Sequence, residues 1–124
     1  RGPLTLFMNP LLQGKHVSTP SGDRVEMGIF IGQWVFIGLY FVDHLNPRCT
    51  DKTFELTHTI SRFRSTKIDI LMVPIRSALP SPTFNQIDPS ETRLIADMIE
   101  HYNVDSFPTV VFIDDNGVVV SRES

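Results

Sequence analysis

The stretch Gly38-Leu39-Tyr40-Phe41-Val42-Asp43-His44-Leu45-Asn46-Pro47-Arg48-Cys49 changes pattern halfway along. Its first half closes the segment Trp34 to Val42, rich in aromatic and β-branched residues without polar alternation. That pattern predicts a central strand covered on both faces, as in a parallel sheet between helices. Its second half predicts a helix start. Asn46 is a favoured N-cap residue, and Pro47 falls at the first helical position, where its missing N–H costs nothing. Beyond it Cys49, Thr53, Leu56, Ile60 and Phe63 recur at spacings of three and four, so they share one face and Cys49 points inward.

Working outward, Ile68 to Ile75 predicts a second buried strand, ended or bent at Pro74. Thr109 to Ile113 and Val118 to Val120 predict an antiparallel pair joined by Asp114-Asp115-Asn116-Gly117, because Asn and Gly tolerate positive φ. Asp88-Pro89-Ser90-Glu91 predicts a second helix with Asp88 as its cap and Leu94, Ile95, Met98, Ile99 and Tyr102 as its apolar stripe. Toward the N-terminus, Lys15 to Thr19 and the residues Val25 and Met27 flank the turn cluster Pro20-Ser21-Gly22-Asp23, predicting a peripheral hairpin. Ser77 to Ile87 contains Pro80 and Pro82 and predicts an extended loop, anchored to the core by Phe84 and Ile87.

The chain of 124 residues, 41% hydrophobic and 20% charged, suits one globular domain spanning residues 1–124. A formal charge of −3 argues against a generic nucleic-acid binder. The most apolar run, Ile29 to Val42, includes Gln33 and falls short of the roughly 20 residues needed to cross a bilayer, so it reads as buried strand and no membrane role is expected. No secretion signal opens the chain, and an intracellular, cytoplasmic setting is favoured. A start at Arg1 rather than Met marks a processed product or a fragment. The single cysteine, Cys49, excludes an internal disulfide framework, a Cys-rich zinc site and a dithiol reaction within the chain. His16, His44, His58 and His101 show no metal-ligand spacing, so no metal and no cofactor is expected.

A buried strand running into a capped helix, followed later by Val104-Asp105-Ser106-Phe107-Pro108-Thr109 leading into a strand, resembles the thioredoxin fold. The likeness is greatest to its tryparedoxin and nucleoredoxin branch. Members of that branch carry Y-F-S-A-S-W-C-P-P-C after the central strand, and Tyr40, Phe41, Pro47 and Cys49 coincide with it without a gap. The family's V-x-S-I-P-T step matches V-D-S-F-P-T here, so the resemblance implies a cis bond before Pro108. It also implies an α/β architecture of the thioredoxin-like type, with a central mixed sheet of four or five strands flanked by helices and a peripheral N-terminal hairpin. Most relatives add a terminal helix where this chain ends at Ser124, which implies that the last face of the sheet is covered by something beyond the chain or by a partner.

Where this sequence departs from the family it bears on function. The family's attacking cysteine corresponds to Asn46, its flanking tryptophan to Leu45 and its second proline to Arg48. A carboxamide forms no mixed disulfide, whereas it does cap a helix. Cys49 matches the resolving cysteine. The resemblance therefore implies a redox-silent module that binds a protein or peptide in a groove formed by Leu45, Asn46, Pro47 and Arg48 against Phe107 and Pro108. The competing expectation is a residual single-thiol oxidoreductase in redox homeostasis, with Cys49 as its thiol and His44 as a conceivable base. A third is a structural subunit of a larger assembly.

Overall fold

Phe36–Val42 forms the central strand, β3 by chain order, in a computed structural model that describes residues 10–76 and 80–124. The hairpin strands β1 (His16–Ser18) and β2 (Arg24–Glu26) and a short helix α1 (Met27–Gly32) precede it. After it come α2 (Pro47–Ser65), β4 (Ile68–Pro74), β5 (Asn85–Ile87), α3 (Thr92–His101), β6 (Thr109–Asp114) and β7 (Val119–Glu123). All the strands lie in one mixed sheet of order β2-β1-β5-β4-β3-β6-β7. β3 runs parallel to β4 along its whole length, from Phe36↔Ile68 to Val42↔Pro74, and antiparallel to β6. The sheet has an interior that needs no alternation because both its faces are packed.

Side-chain alternation along β3 and β4 sorts the core into two layers. Ile37, Leu39, Phe41, Leu71 and Val73 pack with α1 and α3 residues such as Phe30, Leu94 and Met98. Tyr40, Val42, Ile70 and Met72 pack with Cys49, Leu56 and Ile60 of α2, together with Phe84. Gly38 faces the second layer, which leaves no room there for a side chain. A Cβ there would lie 2.8 Å from Ile70 Cδ1 and 2.9 Å from Phe112 Cε1.

The structure corrects several local expectations. Ile29–Gly32 is helix rather than strand. Glu26 caps it, accepting from Gly28 N at 2.8 Å and Ile29 N at 3.3 Å, and Met27, Phe30 and Ile31 are buried at helical spacing while Ile29 is exposed. The second main helix starts at Thr92, not after Asp88. Asp88 Oδ1 takes both the N–H and the hydroxyl of Ser90, and Glu91 N reaches Asp88 O at 2.9 Å. These bonds close a separate turn before the helix, the competition expected of short polar side chains. The described sheet has five central strands, β5-β4-β3-β6-β7, as expected, and the N-terminal hairpin β1–β2 extends it to seven rather than standing apart. The stretch expected as loop contributes β5, which pairs with β4 through Leu71↔Asn85 and with β1 through Val17↔Ile87. The hairpin thereby becomes the sheet's edge. Residues 77–79 of that stretch lie outside the described residues; Phe84 and Ile87 are buried, as the anchoring role requires.

The last strand is tied to both layers. Lys52 Nζ of α2 meets Glu123 Oε1 at 2.6 Å, and Arg122 donates to the carbonyls of Tyr102 and Asn103 beyond the end of α3. Successive residues of a strand point to opposite faces, so neighbouring charges clip β7 to opposite helices. The turn before it runs as its sequence demands: Gly117 has φ 82°, and Asp114 Oδ1 accepts from Asn116 N and Val118 N.

Candidate functional site

β3 delivers the chain to the Asp43–Asn46 turn, which closes through Asn46 N to Asp43 O at 2.9 Å and Leu45 N to Asp43 Oδ1 at 3.0 Å. Arg76, just past β4, holds the same carboxylate, with Nε at 2.8 Å. The guanidinium and the Leu45 N–H keep Asp43 below the ordinary aspartate range, so the turn carries a fixed anion.

Asn46 caps α2 with extended backbone, φ −92° and ψ 120°, and its Oδ1 accepts from Arg48 N at 2.9 Å. Its Nδ2 donates to the carbonyl of Phe107 at 3.2 Å. One carboxamide thus satisfies an orphan helix donor and joins two segments distant in sequence. The Phe107–Pro108 peptide is cis, Pro108 is buried, and Thr109 donates its hydroxyl to Ser106 O at 2.7 Å to close the turn. Pro47 and Arg48 are exposed, and Leu45 is 75% exposed. The site residues therefore divide into a bonded centre, Asn46 and Phe107, and an open rim that includes Leu45.

Cys49 lies beneath, 1% exposed, in contact with the α2-side core. Its Sγ accepts from Asp43 N at 3.4 Å, and burial pushes its thiol up, which disfavours the reactive thiolate. Tyr40 supports the first turn of the helix from below. Its hydroxyl donates to Cys49 O at 3.0 Å and lies 2.7 Å from Thr53 Oγ1, and burial raises its own pKa to about 12. No hydrogen bond joins His44 to Cys49; the two residues line one cleft of about 390 Å³ together with Thr53, Phe54 and His58. Phe54 is 68% exposed, with its ring 4.3 Å from that of His58. Sequence reasoning missed this cleft, although Phe54 falls off the buried stripe of α2 and so had to face outward. It also missed Asp43 and Arg76, whose pairing is set by how β3 and β4 align, and Tyr40, whose partners Cys49 and Thr53 are set by how α2 packs on β3. Among the described residues no group of three or more His, Cys, Asp or Glu side chains is placed to hold a metal ion. No described helix is long and apolar enough to cross a membrane.

Neither a protein-family model nor a curated protein matches the sequence. Solved structures do match the fold. Tryparedoxin from Trypanosoma brucei superposes with a TM-score of 0.79 at 16% identity, over 97% of this chain and 85% of that one. Thioredoxin from Wuchereria bancrofti gives 0.78 at 16% identity, over 89% and 82%. Native tryparedoxin I from Crithidia fasciculata gives 0.77 at 17% identity, over 90% and 81%. The chain has a thioredoxin fold and resembles the tryparedoxins in structure, with one cysteine in its whole length.

Proposed function

We propose that this thioredoxin-like domain no longer performs dithiol–disulfide exchange and instead binds an extended protein or peptide segment. The groove would lie between Leu45–Arg48 and Phe107–Pro108. The observation that carries the reading is the double role of Asn46. Exchange needs a thiolate at the start of the helix, where partial positive charge stabilises it. The residue at that place in this chain is a carboxamide whose oxygen and nitrogen are both spent on structure. Cys49, the remaining thiol, is buried and held protonated, which supports the same reading. Around the bonded centre, the exposed Leu45, Pro47 and Arg48 leave apolar and cationic surface for a partner. The cytoplasm, where thiols stay reduced, is the compartment this reading assigns.

A reductase assay on a protein disulfide, with a small dithiol as the electron source, tests the loss of chemistry. The wild type is expected to be silent and Asn46→Cys to gain turnover, because the scaffold is retained and only the nucleophile is missing. Appreciable wild-type turnover overturns the reading.

One observation favours a second reading: Cys49 is among the residues that border the His44–Phe54 cleft, where a small disulfide would approach it. In that case its thiolate would attack glutathione disulfide, forming a Cys49–glutathione mixed disulfide and releasing one glutathione thiolate. Its discriminating measurement is the rate at which native Cys49 reacts with a small disulfide reagent, which that reading requires to match a free thiol.

A further inference from the structure

An asparagine side chain can be lost without any enzyme. The backbone nitrogen of the next residue attacks its Cγ and closes a succinimide ring, and the side-chain nitrogen leaves as ammonia. Water then opens the ring at either carbonyl, giving aspartate or, with an extra methylene in the backbone, isoaspartate. The following residue decides how readily this happens. Proline, with no N–H to give up, follows Asn9 and Asn46. Gln86 follows Asn85, whose Nδ2 is held by Asp69 Oδ2 at 2.8 Å. Val104 follows Asn103 with a β-branched side chain, and its N–H is held by Ile99 O at 2.9 Å. Asn116 is the one asparagine followed by glycine, which puts no Cβ in the path of the attack.

Asn116 is exposed at the turn between β6 and β7, and its side-chain amide is bonded to no described residue. The attacking nitrogen, by contrast, is engaged. Gly117 N donates to Asp114 O at 3.0 Å, and Asp114 Oδ1 pins the flanking Asn116 N and Val118 N at 2.9 Å each. An amide nitrogen must shed its proton to attack, and a donated hydrogen bond keeps that proton in place. Reaction therefore needs the turn to open locally, and Asp114 is the residue that holds it shut.

We propose that Asn116 is a self-modification site, converted through a succinimide with Gly117 to aspartate or isoaspartate, and that Asp114 sets the rate by keeping the turn closed. The bond from Cγ to Nδ2 breaks, the bond from Cγ to Gly117 N forms, the Gly117 proton leaves with ammonia, and water is the sole co-reactant. Isoaspartate lengthens the backbone between two paired strands, and either product adds a carboxylate beside Asp114 and Asp115. The pairing next to the turn, Ile113↔Val119, is disturbed first, while Lys52 still holds Glu123 at the far end. Conversion thus loosens β7 from its turn end. The link from Asn46 to Phe107 is untouched, so this site is independent of the proposed binding groove.

The test holds the full chain at neutral pH and follows ammonia release, with peptide mapping to identify the converted residue and to separate aspartate from isoaspartate. Conversion is expected at Asn116 ahead of Asn46, Asn85 and Asn103. Asp114→Ala should speed it about tenfold in the folded protein, the scale on which losing two exposed hydrogen bonds shifts a local opening. Its rate in denaturant should match the parent's. Asp114→Asn keeps an acceptor in the same place and should stay near the parent rate. Amide exchange along β7 should quicken in the converted protein and not in Asn116→Gln aged alongside it. Conversion first at another asparagine, a folded Asp114→Ala that reacts no faster than the parent, or β7 exchange unchanged by conversion overturns the proposal.

Discussion

The side-chain amide of Asn46 donates to the carbonyl of Phe107 at 3.2 Å, across 61 positions of sequence. The same carboxamide holds Arg48 N at 2.9 Å, so the α2 cap and the link to the Pro108 turn are one object. A cysteine at that position supplies neither bond with comparable strength.

Asn46→Ala should therefore cost more than an ordinary cap. Loss of the cap accounts for about 1 kcal/mol, and loss of the Phe107 bond for about 1 kcal/mol more. Asn46→Ser keeps a capping oxygen and should recover about the first of these. Urea unfolding of the wild type and both variants separates the two: the gap between Asn46→Ser and Asn46→Ala is the cap, and an Asn46→Ser as stable as the wild type would show that the link to Phe107 contributes nothing.

Alkaline pH should weaken the fold through two groups. The folded pKa of Cys49 lies above its ordinary value, and that of Tyr40 rises from 10.0 to about 12. A raised folded pKa means the unfolded chain loses its proton first, so the stabilisation is complete below the unfolded pKa and is lost as pH rises through the folded one. Stability should decline from about pH 9 upward. Cys49→Ala should remove the earlier part of that slope and Tyr40→Phe the later part, as read by denaturant unfolding across the range.

Native Cys49 should resist a small disulfide reagent and react promptly in denaturant, since the thiol is 1% exposed and its thiolate is disfavoured. A native rate equal to that of a free thiol would favour the single-thiol enzyme instead.

Asp69 is fully buried at the start of β4, bonded to Arg64 Nε at 2.9 Å and to Asn85 Nδ2 at 2.8 Å, while Arg64 also reaches Thr83 O. Removing the cation leaves a buried charge. Because the Arg64 side chain is 34% exposed, water screens part of the loss, and Arg64→Met should cost about 2 kcal/mol rather than the larger figure for a fully buried pair. The double variant Arg64→Met, Asp69→Leu should regain most of it, which thermal unfolding of the three proteins will show.

Gly38→Ala places a methyl within 3.1 Å of Ile70, Phe112 and Val110. Overpacking on this scale costs about 1–3 kcal/mol. A variant as stable as the parent in urea would show that this layer has slack.

Local rules of the chain were readable where neighbours in sequence make the structure. The Asn46–Pro47 helix start, the buried stripe of α2 and the Asp114–Gly117 turn depend on residues within one or two turns of each other, and each stands as the pattern predicts. Asp88 shows the limit even there, because a serine two places on competed for the oxygen that would have capped the helix.

By itself, then, the sequence determined the central strand, the capped helix, the lack of a second cysteine and, through Tyr40, Phe41, Pro47 and Cys49, a resemblance to one fold. Only the tertiary structure decided that Asn85–Ile87 is a strand, that the hairpin closes the edge of a seven-stranded sheet, and that Asn46 is bonded to Phe107. A three-residue strand has too little pattern to declare itself; it exists because β4 on one side and β1 on the other offer it hydrogen bonds. The unpartnered oxygen of Gln86 has the same origin, since pairing in the sheet sets its face and leaves that oxygen no donor among the described residues.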